Sequence, residues 1–203
     1  MHGIGDVRFF DRVARIYDRV MPAADQHPLG AALSRADGDI DRVLDLGGGT
    51  GRATIAVEAG KRTVVDISRP MLTRARTRTA GGPGRPGDPP GPLATLQGDA
   101  GRLPVGDNAV DAAIVVDAFH HMPAQTAVIN ETKRVLRPGG VFVIREFDPN
   151  HPLGWLLARG EGVIGMDSTF RPPAALGEML SNAGFAVEIL DAGFEYTAVG
   201  TNR

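Results

Sequence analysis

The sequence predicts a doubly wound α/β domain: a mostly parallel sheet of seven strands, helices on both faces, and an antiparallel hairpin at the C-terminal end. Three observations predict it. Short apolar runs alternate with helix-spaced segments. A glycine-rich turn, Gly47-Gly48-Gly49-Thr50-Gly51, directly follows the first run. The last two runs are joined by only four residues, Asp191 to Phe194. Strand–helix alternation is the pattern of parallel sheets covered on both faces, whereas so short a link joins antiparallel neighbours.

Residues 6–21 place Phe9, Phe10, Val13, Ile16, Tyr17 and Val20 at helical spacing, so residues 1–40 read as a helical cap. Arg42–Leu46 is the first strand, and a helix is expected from about Gly51 to Ala59. Thr63–Asp66 is the second strand. The helix after it begins near Pro70, because proline's fixed φ and missing N–H suit a first turn. Leu93–Leu96 is a short third strand. Val110–Val116 is a fourth, apolar almost without a break, as strands buried on both faces are.

Ala124–Leu136 reads as a helix stopped by Pro138-Gly139-Gly140, with Lys133, Arg134 and Arg137 near the negative end of its dipole. Val141–Ile144 is the fifth strand. Residues 148–171 are left as a small cap, in which Trp155, Leu156, Leu157, Val163 and Ile164 supply the apolar surface. Pro172-Pro173 then opens a helix with Leu176, Met179, Leu180 and Ala183 on one face, closed by Gly184. Ala186–Leu190 and Glu195–Val199 form the hairpin. In Gly81–Pro92, ten of twelve residues are Gly or Pro, a composition that builds neither helix nor strand and marks a flexible surface insertion. The whole, residues 1–203, reads as a single domain.

Composition narrows the chemistry. With no cysteine, the chain has no disulfide, zinc–thiolate site, iron–sulfur cluster or cysteine nucleophile. A formal charge of −2 argues against a nucleic-acid partner. Arg74, Arg76 and Arg78 form a basic run, but alternate helical positions do not share a face. There is neither a signal peptide nor a membrane span in the pattern, so a cytoplasmic location is expected. No metal-ligand set is read, and the oligomeric state is not legible.

The glycine turn carries the function. Glycines at 47, 49 and 51 let backbone approach a ligand closely. Asp66 ends the next strand 19 residues after Gly47, where an acid can accept both hydroxyls of a ribose. Asp99 follows the third strand on the same edge. A dinucleotide fingerprint needs a third glycine, but that place holds Arg52 counted from Gly47 and Thr54 counted from Gly49. The P-loop is excluded by the absence of Gly-Lys-Ser/Thr. Asp45-x-Gly47-x-Gly49-x-Gly51 remains, a turn that need not hold phosphate.

With Phe10-Asp11-Arg12-Val13-Ala14-Arg15-Ile16-Tyr17-Asp18, Val65-Asp66-Ile67-Ser68-Arg69-Pro70-Met71-Leu72, Gly98-Asp99-Ala100 and Arg134-Val135-Leu136-Arg137-Pro138-Gly139-Gly140, that turn resembles the class I S-adenosylmethionine-dependent methyltransferases. Within them the chain is most similar to the ubiquinone/menaquinone biosynthesis C-methyltransferases and their small-molecule relatives. The resemblance implies a Rossmann-like sheet and S-adenosylmethionine as cofactor. It implies that Asp45 and Gly47, Gly49 and Gly51 hold the methionine end and that Asp66 takes the ribose. It further implies that Ile67 and Met71 flank the adenine, that Asp99 and Ala100 meet its edge, that Asp117 lines the pocket, and that Tyr17 closes over it. Where quinone enzymes carry Gly-x-Arg-Asn, this chain has Phe119-His120-His121-Met122-Pro123, a pattern seen in other small-molecule enzymes of the class. The expected substrate is a small, partly apolar acceptor, with His120, His121, Glu146 and Asp148 as candidate bases. Two alternatives stay open: an NAD-dependent oxidoreductase, and a binding module without activity.

Overall fold

The computed structural model describes residues 10–11, 26–77, 93–163, 165–191 and 193–203. The 81–92 insertion, Ile164, and all of the 6–21 segment except Phe10 and Asp11 lie outside the described residues. In chain order the elements are α1 (Gln26–Leu33), β1 (Arg42–Leu46), β2 (Lys61–Asp66), α2 (Arg69–Thr77), β3 (Ala94–Gln97), β4 (Val110–Val116), α3 (Gln125–Val135), β5 (Leu136–Phe147), α4 (Pro152–Val163), α5 (Pro173–Asn182), β6 (Phe185–Leu190) and β7 (Glu195–Asn202). Two single 3-10 turns, Thr54–Ala56 and Phe119–His121, follow β1 and β4.

The seven strands form one sheet in the order β3-β2-β1-β4-β5-β7-β6. Only β7 runs against the others, between β5 and β6, as the short link between the last two strands requires. Chain direction across the sheet reverses between β1 and β4, so their carboxyl ends flank a switch point, where open α/β sheets bind ligands.

Both faces are covered. All of Val110–Val116 is buried, and its side chains alternate. Ala112, Ile114 and Val116 pack with Leu29 and Ala32 of α1, while Ala113 and Val115 pack with Val128 and Ile129 of α3 and Leu176 and Leu180 of α5. A fully buried Ile114 or Phe142 stabilises the fold by about 1.5–3 kcal/mol. A smaller cluster of Val64, Leu72, Ala75 and Leu93 seats α2.

Two elements differ from expectation. The helix expected over Gly51–Ala59 is only the 3-10 turn Thr54–Ala56. Thr54 and Ile55 are β-branched, and β2 already begins at Lys61, whose N–H donates to the Asp41 carbonyl at 2.6 Å, so no length remains for several turns. The glycine turn therefore opens no long helix. Second, Pro138-Gly139-Gly140 lies within β5 and does not merely precede it. Leu136 pairs with Val110 and Val141 with Ala112 across a register shift. Gly139 takes φ +78, and a Cβ on Gly140 would stand 2.8 Å from the Asp111 carbonyl, so only this dipeptide lets β5 close on β4. In the 148–171 region, Pro152–Val163 forms α4, with Leu153, Trp155, Leu156 and Val163 exposed.

Candidate active site

The glycine turn folds back onto its own strands. Gly47 and Gly48 donate to the Val65 carbonyl at 2.8 and 3.3 Å, Gly49 donates to Asp66 Oδ2 at 2.9 Å, and Gly51 to the Gly48 carbonyl at 2.8 Å. These four N–H groups are thus spent inside the protein. A pyrophosphate would need such groups free, and this decides against a dinucleotide. Gly48 has no room for a side chain, because a Cβ there would sit 2.5 Å from Asp45 Cγ.

Three carboxylates ring the turn. Asp45, on β1, is fully buried; its Oδ2 accepts from the Thr54 hydroxyl at 2.5 Å, and Oδ1 has no partner among the described residues. Burial pushes its carboxyl up to about 7, against the Thr54 hydrogen bond and the Arg52 charge. Asp66, at the end of β2, accepts N–H groups from Ser68 at 2.7 Å and Gly49, which oppose the upward push of burial. A carboxylate offers about four lone-pair sites, so two acceptor positions remain. Asp117 stands just past β4 in the left-handed region at φ 51, a conformation few non-glycine residues adopt. Its Oδ2 accepts from Arg52 at 2.5 Å, and its buried Oδ1 has no partner among the described residues. Burial raises Asp117 as well, Arg52 opposing.

The adenine candidates line up along the β2–β3 edge. Met71 is buried, Ile67 is exposed, and Gln97 Nε2 donates to the Ile67 carbonyl at 3.1 Å. Asp99 is half-buried two residues beyond β3, where its Oδ1 accepts the Gly101 N–H at 2.8 Å, and Ala100 is half-buried beside it.

A second cluster lies past β4 and β5. His120 Nδ1 is 2.6 Å from Glu146 Oε2, and Glu146 Oε1 accepts the Phe119 and His120 N–H groups at 2.7 and 3.3 Å. His120 Nε2 lies 3.7 Å from Glu161 Oε1 on α4, and the Phe170 ring stacks on the imidazole at 4.1 Å. Burial opposes protonation of His120, but Glu146 and Glu161 outweigh it and carry the imidazole up to about 9. Burial pushes Glu161 up, yet His120 and Ser168 hold it below the usual carboxylate range. His121 lies 4.0 Å from the His120 ring centroid, meets Phe10 edge-on at 4.9 Å, and has its Nδ1 3.2 Å from Ser168 Oγ. Asp148 does not join this group: its Oδ1 accepts the Asn150 N–H at 2.9 Å, shaping the entry to α4.

Residues 44–144 match the family model described as a methyltransferase domain. The chain is 35% identical over 156 residues to an uncharacterized methyltransferase of Synechocystis sp., covering 72% of this chain and 67% of that protein. The chain belongs to the methyltransferase family. It is also 40% identical over 128 residues, 62% of this chain and 47% of the relative, to an uncharacterized methyltransferase of Mycobacterium tuberculosis. The chain thus spans about half the length of the first curated methyltransferases it matches. A crystal structure of an S-adenosylmethionine-dependent methyltransferase from Thermotoga maritima shares the fold, with a TM-score of 0.76 at 20% identity, covering 97% of this chain and 99% of that one.

Tested against the methyltransferase cofactor, the donor set fits. S-adenosylmethionine carries a sulfonium and an ammonium, and the site presents two buried carboxylate oxygens without partners among the described residues, on Asp45 and Asp117. It also carries a ribose diol, and Asp66 retains acceptor capacity at the strand end. Tyr17 lies outside the described residues. Sequence reasoning missed Arg52, which it weighed only as a missing glycine, and also Thr54, Glu161, Ser168 and Phe170. Arg52 and Thr54 were legible as polar residues beside the turn. Glu161 was not, because it lies 40 residues from His121 and only folding brings them together.

Proposed function

We propose that residues 1–203 act as one methyltransferase domain that transfers a methyl group to a small, partly apolar acceptor, in the cytoplasm and without a nucleic-acid partner. The reading is carried by the pair of buried carboxylate oxygens without a partner among the described residues, Asp45 Oδ1 and Asp117 Oδ1, beside the glycine turn at the switch point. When bound, S-adenosylmethionine supplies an electrophilic methyl group on a positive sulfur. Asp45 and Asp117 hold the positive methionine end, Asp66 accepts the ribose hydroxyls, Ile67 and Met71 flank the adenine, and Asp99 with Ala100 meets its edge. Tyr17 closes over the site on the strength of the resemblance alone.

The acceptor lies toward the ends of β4 and β5. There the chain acts mainly by alignment and exclusion of water. Glu146 is spent on holding His120 and the turn that carries it, and Asp148 on the α4 entry, so neither serves as the base. Removal of a proton from a carbon or hydroxyl acceptor falls to His121, because Glu146 and Glu161 hold the neighbouring His120 imidazole protonated at neutral pH.

Calorimetry tests the cofactor half. S-adenosylhomocysteine should bind in the micromolar range, near about −8 kcal/mol, and NAD should not. Asp66→Ala should weaken binding by about 1–3 kcal/mol by leaving the diol without its charged acceptor. Tighter binding of NAD than of S-adenosylhomocysteine would overturn the reading.

A further inference from the structure

His120, His121 and Glu161 each present one ligand atom, and these atoms lie within 4.8 Å of one another. We propose that the three form a binding site for a divalent first-row metal ion of zinc-like preference, beside the acceptor half of the active site.

Four observations support it. The donor set, two imidazoles and one carboxylate, is one of those that catalytic zinc sites use while leaving a coordination position for a non-protein ligand. Nδ1 of His120 is taken by Glu146 at 2.6 Å, which leaves Nε2 as the ligating nitrogen and reproduces the carboxylate–histidine pairing found behind metal-bound imidazoles. Glu161 is likewise fixed from behind, because the Ser168 hydroxyl donates to its Oε2 at 2.5 Å and leaves Oε1 facing His120. Finally, the spacing is close to what one ion needs. Ligand atoms around a zinc with bonds of about 2.0–2.2 Å stand roughly 3.4 Å apart, and His120 Nε2 to Glu161 Oε1 is already 3.7 Å.

The local fold explains how adjacent histidines can cooperate. On an extended strand, neighbours point to opposite faces. Here Phe119–His121 is one 3-10 turn, and the two imidazole centroids come within 4.0 Å. The Thr169 N–H donates to the His120 carbonyl at 2.7 Å and ties the 168–170 segment against that turn, with Ser168 beside Glu161 and Phe170 over the His120 ring. Glu161 arrives from α4, whose outward face carries the exposed Trp155 and Leu156. This assigns α4 an inward task that its exposed face does not reveal.

Metal binding itself does not depend on the methyltransferase reading. Its consequence does: on that reading, the acceptor is an oxygen-bearing molecule, a hydroxyl or an enolisable carbonyl, because such an ion lowers the proton affinity of an oxygen it binds.

The test uses the untagged full chain, stripped with a chelator and titrated with Zn²⁺ by calorimetry and with Co²⁺ by its visible absorption. The expected result is one equivalent bound per chain. Glu161→Gln and His121→Ala should each weaken binding at least about tenfold, whereas His151→Ala should leave it unchanged. S-adenosylhomocysteine affinity, measured on the same samples, should stay within a factor of about three, showing that the variants are folded. Absence of a stoichiometric site, or equal affinity in Glu161→Gln and the parent chain, overturns the proposal. Metal binding as described together with no binding of S-adenosylhomocysteine would support the ion site and overturn the cofactor assignment instead.

Discussion

Asp45 is asked to be two things. It sits at 0% exposure, where charge is costly, and it faces a turn that fits a cationic ligand. Burial raises its carboxyl from 3.8 to about 7, so between these values the folded chain keeps a proton that the unfolded chain has released. Stability rises with pH only where the unfolded state binds more protons; here the folded state does. Asp45 therefore costs stability progressively from about pH 4 to about pH 7, on the order of 4 kcal/mol if the whole shift is expressed. Asp45→Asn should flatten that slope, raising the melting temperature of the unliganded chain relative to the parent most at pH 8 and by less than half as much at pH 5. The same variant should bind S-adenosylmethionine more weakly, because the charge is gone. Melting curves of both proteins at the two pH values decide it: parallel pH slopes would show that Asp45 is not the group responsible.

The glycine turn shows how an element enforces such an arrangement. Gly47 and Gly51 take φ of +68 and +77, which strains any other residue, but Gly48 is excluded from substitution by contact alone. Its missing side chain leaves the space that the Asp45 carboxylate fills. Gly48→Ala should cost about 1–3 kcal/mol through overpacking, and should weaken cofactor binding by displacing Asp45 from Thr54. Gly106→Ala, where nothing lies within 4 Å, should do neither. Chemical denaturation compares them, and equal stability of the two variants would contradict the packing argument. The same element marks what the sequence could show. β4 was legible to the residue because a strand buried on both faces must be apolar throughout. The glycines announced the turn by their spacing. The 3-10 turn after it was not legible, since its brevity is imposed by where β2 pairs, and the bulge in β5 was hidden because Pro138 and Gly139 look the same ending a helix or bending a strand. α4 contains Gly154, Gly160 and Gly162, which weaken its local helical signal, so it could be read only as a cap.

Across the whole molecule, strand order divides the site. The ends of β1, β2 and β3 carry Asp45, Asp66 and the approach to Asp99, while the ends of β4 and β5 carry the Phe119–His121 turn and Glu146. Phe10 and Asp11 span the division. The Ser68 hydroxyl donates to Asp11 Oδ1 at 2.5 Å on the cofactor side, and Phe10 meets His121 on the other. The hydrogen bond to a carboxylate is worth about 1.5–3 kcal/mol and the ring contact about 0.5–1.5 kcal/mol, and the weaker of the two limits what this bridge can pass from one half to the other. His121→Ala should consequently lower turnover once an acceptor is in hand, yet change S-adenosylhomocysteine affinity by less than about 1 kcal/mol, within roughly a factor of three to five. Asp66→Ala should do the reverse, weakening the cofactor while leaving turnover at saturation largely intact. The two variants are read side by side, by calorimetry for affinity and by initial rates at saturating cofactor for turnover. A His121→Ala enzyme that lost cofactor affinity but kept its saturated rate would place the histidine in the adenosine half, and the division that the strand order draws would then be in the wrong place.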